Sequence, residues 1–408
     1  MNDNIVTLEK KLRRGQLTLH LPQGRVKTFG TGPPYAEWIV YKPATLRRIA
    51  RDPEMMLGET YMNGEWDVPQ GRLAALLEVL MANFSDSPTE AHGIKARLLK
   101  NIIHPGNGIM RSYRNVAHHY DLDEWVFRRF LDQDMQYSCA YFYAPDISLD
   151  EAQRAKCQHI MNKLVLSPGQ HVLDIGCGWG GLALYLAEHA GVKVTGLTLS
   201  REQLRVATNR AMERGLQNLV EFRLQDYREH TGSYDRIVCV GMFEHVGVAH
   251  YERYFDQLSH LLRPLGSALL HTIGRYGPPS TTNPWIRKYI FPGGYNPALS
   301  EVTGAIEKSG LIACDVEVLR LHYALTLEAW YKRFQSHREQ VAERMGERFC
   351  RMWEFYLASC EASFRWRNLV VFQIQLGHRL EALPITRDYL YETAGHALEA
   401  GSSRLAAS

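Results

Sequence analysis

Hydrophobic and polar positions in the first hundred residues follow two different periods. The stretch EWIVY (37–41) predicts a strand, and RLAALLEVLMANF (72–84) spaces its apolar residues as one face of a helix does. The segment IIHPGNGIMRS (102–112) has no such period and contains one proline and two glycines, which is typical of a connection. We therefore predict a small α+β domain over residues 1–103, a linker over 104–120 and a second domain over 121–408.

From residue 148 onward the pattern alternates between helix and strand. Ser148 with Glu151, and Ser200 with Gln203, form the signature of a capped helix N-terminus. The predicted strands are HVLDI (171–175), KVTGLTL (193–199), VEFRL (220–224), YDRIVCV (234–240), SALLHTI (267–273) and, after an aromatic-rich helical stretch, LVVFQIQL (369–376). Such alternation predicts an α/β fold with a mostly parallel, doubly wound sheet, which binds ligands outside the carboxyl ends of its strands.

Composition limits the classes of function to consider. A chain of 408 residues exceeds the roughly 250–300 residues at which one core stops growing, which agrees with two domains. A net charge of +3 argues against a nucleic-acid partner, because nucleic-acid-binding domains are strongly basic. Seven cysteines without a C-x-x-C pair predict a reduced, cytosolic setting. The sequence shows neither a signal-peptide core nor an apolar run of membrane-spanning length, so we expect any contact with lipid from the aqueous side.

The segment VLDIGCGWGG (172–181) places a glycine-rich loop between a predicted strand and a predicted helix. Gly176, Gly178 and Gly181 formally match the dinucleotide-binding spacing. A dinucleotide site also needs an acid at the end of the second strand, where this chain has LTLS. Asp174 instead lies at the end of the first strand, where a carboxylate suits a ligand with an ammonium and a sulfonium group. We therefore interpret the loop as an S-adenosylmethionine (SAM) site and the fold as a Rossmann-like class I SAM methyltransferase.

Three further polar residues are candidate cofactor contacts. Asp226, at the end of the third strand, is expected to accept a hydrogen bond from the adenine amine, but a helix cap or a turn also explains an aspartate there. Thr198 and Gln203 are candidate ribose contacts, and capping is the alternative role for Gln203. The sequence leaves these alternatives open.

Seven motifs taken together resemble one family, the cyclopropane-fatty-acid synthases and, more distantly, the mycolic acid cyclopropane synthases. They are YSCAYF, VLDIGCGWGGLA, LQDYR, VGMFEHVG, LLHTIG, HYALTLEAWY and YLASC, in family order from about residue 120 to residue 376. The first third of the chain also resembles the additional N-terminal domain of the bacterial synthases. The combination of YSCAYF with GMFEHVG is far more specific than the glycine loop, which points only to a methyltransferase.

The resemblance implies methylene transfer from SAM to the cis double bond of an unsaturated acyl chain in a phospholipid. An alkene that attacks the sulfonium methyl group becomes a carbocation, and a base that is not a better nucleophile than the alkene must deprotonate it so that the ring closes. In the family, that base is a bound bicarbonate ion. Its predicted ligands here are Cys139, Glu244, His271, Tyr323 and Cys360, and the predicted SAM contacts are Tyr137, Ser138, Asp174, Gly176, Gly178, Thr198, Gln203 and Asp226.

The resemblance gives each anion ligand a role, and simpler roles compete with some of them. Glu244 is expected to accept the O–H of the ion, and His271 and Tyr323 to donate to it, with the neighbouring His322 as the alternative to Tyr323. Cys139 and Cys360 complete the set, although a cysteine on an aromatic face is usually a small core residue. Glu244 follows an apolar strand, where a carboxylate is seldom buried without a task. The overlapping EHVGVAH does not have the spacing of a zinc motif, so we predict no metal.

Membrane contact is expected because acyl chains lie beneath the lipid headgroups. The N-terminal domain and the basic, acid-free segment 92–120 are candidates for docking. So is NPWIRKYIFPGGYNP (283–297), which mixes apolar and basic residues. A solvated linker is the alternative for 92–120, and a lid is the alternative for 283–297. The resemblance also implies a homodimer in the cytoplasm, peripherally associated with the inner face of the membrane.

Three other functions are compatible with the sequence. The same chemistry with a different fate of the cation gives a methyl-branched or methylene fatty acid. A SAM methyltransferase that acts on small molecules or nucleic acids shares the glycine loop. A non-catalytic lipid-binding protein would be expected to have a broken loop or to lack the acid, whereas Asp174 and all four loop glycines are present.

Overall fold

The computed structural model describes residues 10–69, 73–84 and 124–391. The chain divides into two compact units, each assembled from separate stretches of sequence. The first, which we call the helical unit, consists of Met1–Asp132, Ile273–Ala298 and Leu319–Val371; the second, the α/β unit, consists of Gln133–Thr272, Leu299–Val318 and Phe372–Ser408. The predicted linker over 104–120 lies outside the described residues, so the predicted domain boundaries stay a prediction.

A four-stranded sheet lies in the N-terminal part of the helical unit, with strand order β2-β1-β3-β4. Its strands are β1 (Gly15–Leu21), β2 (Arg25–Thr31), β3 (Tyr35–Val40) and β4 (Trp66–Asp67). Strand β1 pairs antiparallel with β2 and parallel with β3. Alternate residues of β1, including Leu17 and Leu19, are buried, because successive side chains of a strand point to opposite faces. Strand β3 confirms the strand predicted from EWIVY.

The described residues of this part of the helical unit include four helices. They are α1 (Pro43–Arg51), α2 (Pro53–Met62), α3 (Leu73–Phe84) and α4 (Glu124–Phe130). Pro43 and Pro53 stand in the first turns of α1 and α2, where the absence of a backbone N–H costs no helical hydrogen bond. Helix α3 buries Leu73, Leu76 and Leu77, which confirms the helical period of this segment.

The α/β unit is built on a seven-stranded sheet with order β10-β11-β9-β8-β5-β6-β7. The strands are β5 (His171–Ile175), β6 (Lys193–Thr198), β7 (Val220–Leu224), β8 (Tyr234–Val240), β9 (Leu262–Arg275), β10 (Ile312–Leu319) and β11 (Leu369–Gly377). Strands β5 and β6, β5 and β8, β6 and β7, and β8 and β9 pair in parallel, which confirms the predicted α/β fold. Strand β9 begins before the predicted start at Ser267, because Leu262 already pairs with Tyr234 ahead of a register irregularity.

Four helices connect or precede these strands. They are α5 (Leu149–Leu164), α6 (Gly181–Ala190), α7 (Arg201–Glu213) and α8 (Tyr251–Leu261). The Ser148 Oγ accepts from Glu151 N at 3.2 Å, and the Ser200 Oγ accepts from Gln203 N at 3.2 Å. Both predicted caps are therefore confirmed. Apolar residues of α5 and α6 pack with those of the sheet in one core, which includes Ile160, Leu164, Leu184, Val172 and Val194.

Five further helices follow β9 within the described residues, which end at 391. They are α9 (Pro284–Tyr289), α10 (Leu299–Ile306), α11 (His322–Ser336), α12 (Arg338–Met345) and α13 (Glu347–Trp366). In the helical unit, α13 packs against α3 and α11. Phe127, Phe130, Trp330 and Trp353 are fully buried there and form ring contacts with one another. The predicted aromatic-rich helical stretch is confirmed.

The segment 283–297 does not present its largest apolar residues to solvent. Trp285 and Ile290 are fully buried, and the Trp285 ring lies 4.8 Å from the ring of Phe355. Lys288 forms an ion pair with Glu59 at 2.7 Å. The docking interpretation is therefore wrong for Trp285 and Ile290, because side chains that fill a core do not insert into lipid. Among the helices that the structure describes, none is both long and apolar enough to cross a bilayer.

Candidate active site

The glycine loop follows the central strand of the α/β unit. Asp174, the penultimate residue of β5, is in register with Gly196 of β6 on one side and Val238 of β8 on the other. Beyond the strand, the amides of Gly176 and Cys177 both donate to the Leu197 carbonyl, at 3.0 and 2.9 Å. These two bonds fold the loop over the carboxyl end of β6, which is the edge where a doubly wound sheet binds ligands.

Two glycines of the loop differ in what surrounds them. Gly176 has a φ of +84°, and an added Cβ would lie 2.7 Å from the Cβ of Met242, so only glycine fits there. Gly178 has a φ of +54°. Apart from its own residue and its two neighbours in sequence, no atom of the described residues would lie within 4 Å of a Cβ added there. The backbone at Gly178 is therefore open to a ligand, as a cofactor loop requires, whereas Gly176 brings the loop against the residues that follow β8.

Asp174 has the environment expected for the partner of a cationic ligand. Its side chain is buried, and among the described residues its Oδ2 has no hydrogen-bond partner. Burial raises the pKa of Asp174 to about 7, and the positive charge of Lys156 opposes that rise. A buried carboxylate of this kind gains free energy from a cationic group placed against it. The ammonium of SAM fits this atom, so the residues present match the predicted cofactor.

Thr198 and Gln203 interact directly at the carboxyl end of β6. The Thr198 Oγ1 donates to Gln203 Oε1 at 2.8 Å and accepts from Ser200 N at 3.1 Å. The backbone of Gln203 takes part in capping, but its side chain does not close the capping box, because Thr198 holds the Ser200 amide instead. Both side chains are buried. The structure thus brings these two predicted contacts together, and their role toward ribose stays a prediction.

Asp226 is fully engaged in a turn. It is the N-cap of the short 3-10 helix Tyr227–Glu229, and its Oδ1 accepts from the Arg228 backbone N at 2.9 Å and from Arg228 Nε at 2.8 Å. Its Oδ2 accepts from Arg228 Nη2 at 2.6 Å. The turn role proposed as an alternative is therefore confirmed. A carboxylate oxygen has more than one lone pair, so the adenine contact stays a prediction beside this ion pair.

The YSCAYF segment is anchored to helix α5 by a buried lysine. The Lys156 Nζ donates to Ser138 Oγ at 3.0 Å and to Gln136 Oε1 at 2.5 Å. In addition, the Gln153 amide donates to the Ser138 carbonyl at 3.0 Å. These bonds fix the residue between Tyr137 and Cys139. Cys139 itself is fully buried, and its Sγ donates to the Ala140 carbonyl at 3.3 Å.

Glu244 and His271 lie at the same edge as the glycine loop. Glu244 belongs to the 3-10 turn Phe243–His245, which follows β8 after two residues, while His271 of β9 is in register with Val240, the last residue of β8. Both side chains are buried. Burial raises the pKa of the Cys239 thiol on β8 to about 12, and the charges of Glu244 and Asp174 add to the rise. The carboxylates of Asp174 and Glu244 therefore both influence the Cys239 thiol near the carboxyl end of β8.

His271 is held as a neutral imidazole. Burial lowers the pKa of His271 to about 3, with the positive charge of Lys156 as a further cause. Its Nδ1 lies 3.0 Å from the Nε2 of Gln373 on β11. A neutral histidine can donate a hydrogen bond to an anion without transferring its proton, which is the behaviour predicted for this residue.

Tyr323 and Cys360 belong to the helical unit. Tyr323 is the second residue of α11, and its ring lies 4.9 Å from that of Phe364. Cys360 is one turn before Phe364 on α13, which packs against α11. Burial raises the pKa of the Cys360 thiol to about 12. Cys139, Glu244 and His271 lie in the α/β unit, and the grouping of all five residues around one ion stays a prediction.

Sequence reasoning missed two residues that the structure places at this edge, Lys156 and Gln373. Lys156 is on the buried face of α5 together with Ile160 and Lys163, and its helical spacing from these residues was an available signal. Gln373 shares strand β11 with Gln375 two residues on, so both face the same side of the sheet. A pair of glutamines within the apolar run LVVFQIQL was the corresponding signal.

Both the N-terminal part of this chain and the longer part that follows it are similar to known proteins. A family model described as mycolic acid cyclopropane synthetase matches residues 109–374, and one described as a domain of unknown function, DUF7884, matches residues 6–91. A cyclopropane-fatty-acyl-phospholipid synthase from Escherichia coli is 39% identical over 343 residues, which are 84% of this chain and 88% of that protein. The tuberculostearic acid methyltransferase UfaA1 from Mycobacterium tuberculosis is 37% identical over 381 residues, 87% of each chain. The solved structure of the mycolic acid cyclopropane synthase CmaA1 complexed with SAH and CTAB is 34% identical, with a TM-score of 0.62, and covers 65% of this chain and 97% of that one.

Proposed function

Because this chain belongs to the mycolic acid cyclopropane synthetase family, we propose that it transfers a methylene group from SAM to the cis double bond of unsaturated acyl chains in phospholipids. The predicted family, the class I fold and the general class of enzyme, a SAM-dependent methyltransferase, are confirmed. The phospholipid substrate and the cyclopropane product are supported by the relative from Escherichia coli, which carries both in its name.

The observation that carries the proposal is the contact between two motifs. Gly176 of the cofactor loop packs against Met242, and Glu244 follows Met242 by two residues. A group bound on the glycine loop and a group bound by Glu244 would therefore be neighbours in space, although the two motifs are distant in sequence. A methylene transfer needs this neighbourhood, because the base must remove a proton from the methyl group that the donor has just transferred, so that the C–H electron pair closes the ring on the cationic carbon.

SAM supplies an electrophilic methyl group at this edge. The residues that we propose to hold it are Tyr137, Ser138, Asp174, Gly176, Gly178, Thr198, Gln203 and Asp226. Asp174 offers its buried Oδ2 to the ammonium, and the open backbone at Gly178 allows close approach of the ligand. Both features position the cofactor, which lowers the entropic part of the barrier to transfer.

Bicarbonate, when bound, supplies a base that is a weaker nucleophile than the alkene. We propose that Cys139, Glu244, His271, Tyr323 and Cys360 hold it. The Glu244 carboxylate orients the ion by accepting its O–H, and neutral His271 donates to one of its oxygens. A buried carboxylate and a buried neutral imidazole at one edge of the sheet suit a small anion that carries both a donor and acceptors.

Access to lipid belongs to the same proposal. The N-terminal sheet exposes Val26 and Tyr35 beside Arg25 and Lys27, a mixture that suits a membrane surface. The basic segment 92–120 lies outside the described residues. We propose peripheral association with the inner face of the membrane from the cytoplasm, and a homodimer, both on the strength of the family resemblance.

A second product is favoured by one comparison. The relative UfaA1 is named a tuberculostearic acid methyltransferase, so a methyl-branched or methylene fatty acid is the alternative product.

Purified protein would be incubated with SAM and vesicles of unsaturated phospholipid, and the released acyl chains analysed by mass spectrometry and proton NMR. We expect release of S-adenosylhomocysteine, a gain of one CH2, loss of olefinic protons and cyclopropane signals. Retained olefinic protons or a new methyl signal would establish the alternative, and release only with soluble acceptors would refute the lipid substrate.

A further inference from the structure

His271 and Gln373 form a buried pair within the α/β unit. They lie on β9 and β11, which are neighbours in the sheet. The Gln373 Nε2 is 3.0 Å from the His271 Nδ1, and both side chains are almost completely buried. Water therefore does not compete for this hydrogen bond, and the partner of Nδ1 decides which ring nitrogen carries the proton.

The orientation of the Gln373 amide follows from its surroundings. With Nε2 toward the ring, its Oε1 is left buried without a hydrogen-bond partner among the described residues. If the amide were reversed, its two N–H groups would occupy the position of Oε1 and would be buried there without a hydrogen-bond partner among the described residues. Orphaned buried N–H groups are rarer than under-satisfied carbonyl oxygens. The orientation with Nε2 toward His271 is therefore the better one, and it makes Nδ1 an acceptor.

We propose that Gln373 is a positioning residue that fixes His271 as the Nε2–H tautomer, so that the neutral ring donates from Nε2 to an anion beside Glu244. The identity of that anion rests on the proposed function, whereas the tautomer does not.

A fixed neutral donor has a chemical consequence. An imidazolium at this position would be an acid strong enough to protonate a bound base and remove its function. A neutral ring with the proton on Nδ1 would present a lone pair to the anion and repel it. Only the Nε2–H tautomer both binds the anion and leaves it basic, so Gln373 acts on turnover through His271 and not through the cofactor.

Two substitutions of Gln373 test this role. Gln373→Glu replaces the amide donor by a carboxylate, which accepts from Nδ1–H and so reverses the tautomer. Gln373→Met removes the donor without supplying an acceptor. We expect kcat to fall by about 10- to 100-fold in both variants, the range found for partners that orient metal-bound histidines, with an unchanged dissociation constant for SAM.

The matched control is Gln375→Met. Gln375 lies two residues on in the same strand and is equally buried, but its Nε2 donates to the Lys163 carbonyl and to Tyr389 Oη. This variant loses a buried amide without touching His271. We expect a comparable loss of thermal stability and a wild-type kcat.

The tautomer itself is read from long-range 1H–15N spectra of protein labelled with 15N-histidine, with His271 assigned by its absence in His271→Asn. We expect Nε2–H in the wild type, Nδ1–H in Gln373→Glu and a mixture in Gln373→Met. A wild-type ring protonated on Nδ1, or wild-type turnover in Gln373→Glu despite a reversed tautomer, would overturn the inference. A failure of the proposed function would be recognised separately. The wild-type protein would then make no altered lipid, whichever ring nitrogen of His271 carries the proton.

Discussion

Lys156 donates from Nζ to Ser138 Oγ at 3.0 Å, a bond that ties helix α5 to the residue before Cys139. The ammonium is completely buried, and its other hydrogen-bond partner is the neutral Gln136 Oε1. A buried charge is costly unless it is well hydrogen-bonded. Lys156 therefore places the YSCAYF segment and also contributes positive charge near Asp174 and His271.

Lys156→Met is expected to weaken SAM binding by about tenfold, or roughly 1.4 kcal/mol. The change removes the donor that holds Ser138, but it also ends the burial of an ammonium, so the loss of stability should be small. The control is Lys163→Met on the same helix, since Lys163 is equally buried and pairs with Glu317. Calorimetric titration with SAM should separate the two variants, and equal affinity in Lys156→Met and the wild type would contradict the anchoring role.

Two alanine substitutions in the glycine loop should fail for different reasons. Gly176→Ala places a Cβ 2.7 Å from the Met242 Cβ at a positive φ, so we expect a loss of about 1–3 kcal/mol in the free energy of unfolding. Gly178→Ala meets no such clash, so it should lose only the roughly 1 kcal/mol that a left-handed φ costs an alanine, yet its Cβ occupies the side from which SAM approaches. Urea unfolding and SAM titration measure the two effects. The interpretation of the loop is wrong if Gly178→Ala binds SAM as tightly as the wild type.

The stability of the cofactor-free protein should depend on the ionisation of Asp174. Its pKa is raised from 3.8 to about 7 in the fold, so between these values the folded protein holds a proton that the unfolded chain has lost. Stability from this group therefore falls as the pH rises through that window and is level above it. Asp174→Asn cannot ionise, and its melting temperature relative to the wild type should be higher at about pH 8 than at about pH 5. A difference that does not change with pH would show that Asp174 is not the buried acid described.

Glu244→Gln should abolish most turnover while SAM still binds. The amide no longer accepts the O–H of the anion as a carboxylate does, but it leaves the glycine loop unchanged. We expect kcat to fall by about 100-fold or more, within the range for acid–base groups. The control is Glu252→Gln, an exposed residue that pairs only at the surface with Lys308. Normal turnover of Glu244→Gln on unsaturated phospholipid vesicles would eliminate this residue from the chemistry.

The strand ends of the site could be predicted because they depend on local pattern. Asp174 and Glu244 each come at or just after the end of an apolar strand, and His271 lies in another. Parallel pairing then brings these positions to one edge of the sheet, as β5, β8 and β9 show. The glycine loop and both helix caps likewise depend on neighbours within a few residues in sequence.

The residues that prediction missed depend on partners distant in sequence. Gln373 is 102 positions from His271, and Lys156 is 18 from Ser138; no local pattern specifies either pair. Trp285 shows the converse error. The mixture of apolar and basic residues in its segment suits both a protein core and a membrane surface. The burial of Trp285 is decided by tertiary contacts, since the ring lies against Gly58, where an added Cβ would be 2.4 Å from the indole nitrogen.

Removal of bicarbonate tests the proposed base directly. Protein exchanged into degassed, carbonate-free buffer under argon should lose most of its turnover, because Glu244 and His271 then orient no proton acceptor. Added bicarbonate should restore the rate with saturation, whereas chloride or acetate at equal ionic strength should not. Cys139→Ser should need more bicarbonate for half-maximal rate, while Cys314→Ser, a change of a half-buried thiol on β10, should need the wild-type amount. A rate that is the same with and without bicarbonate in fully stripped protein would leave a side chain as the base and remove the anion from the mechanism.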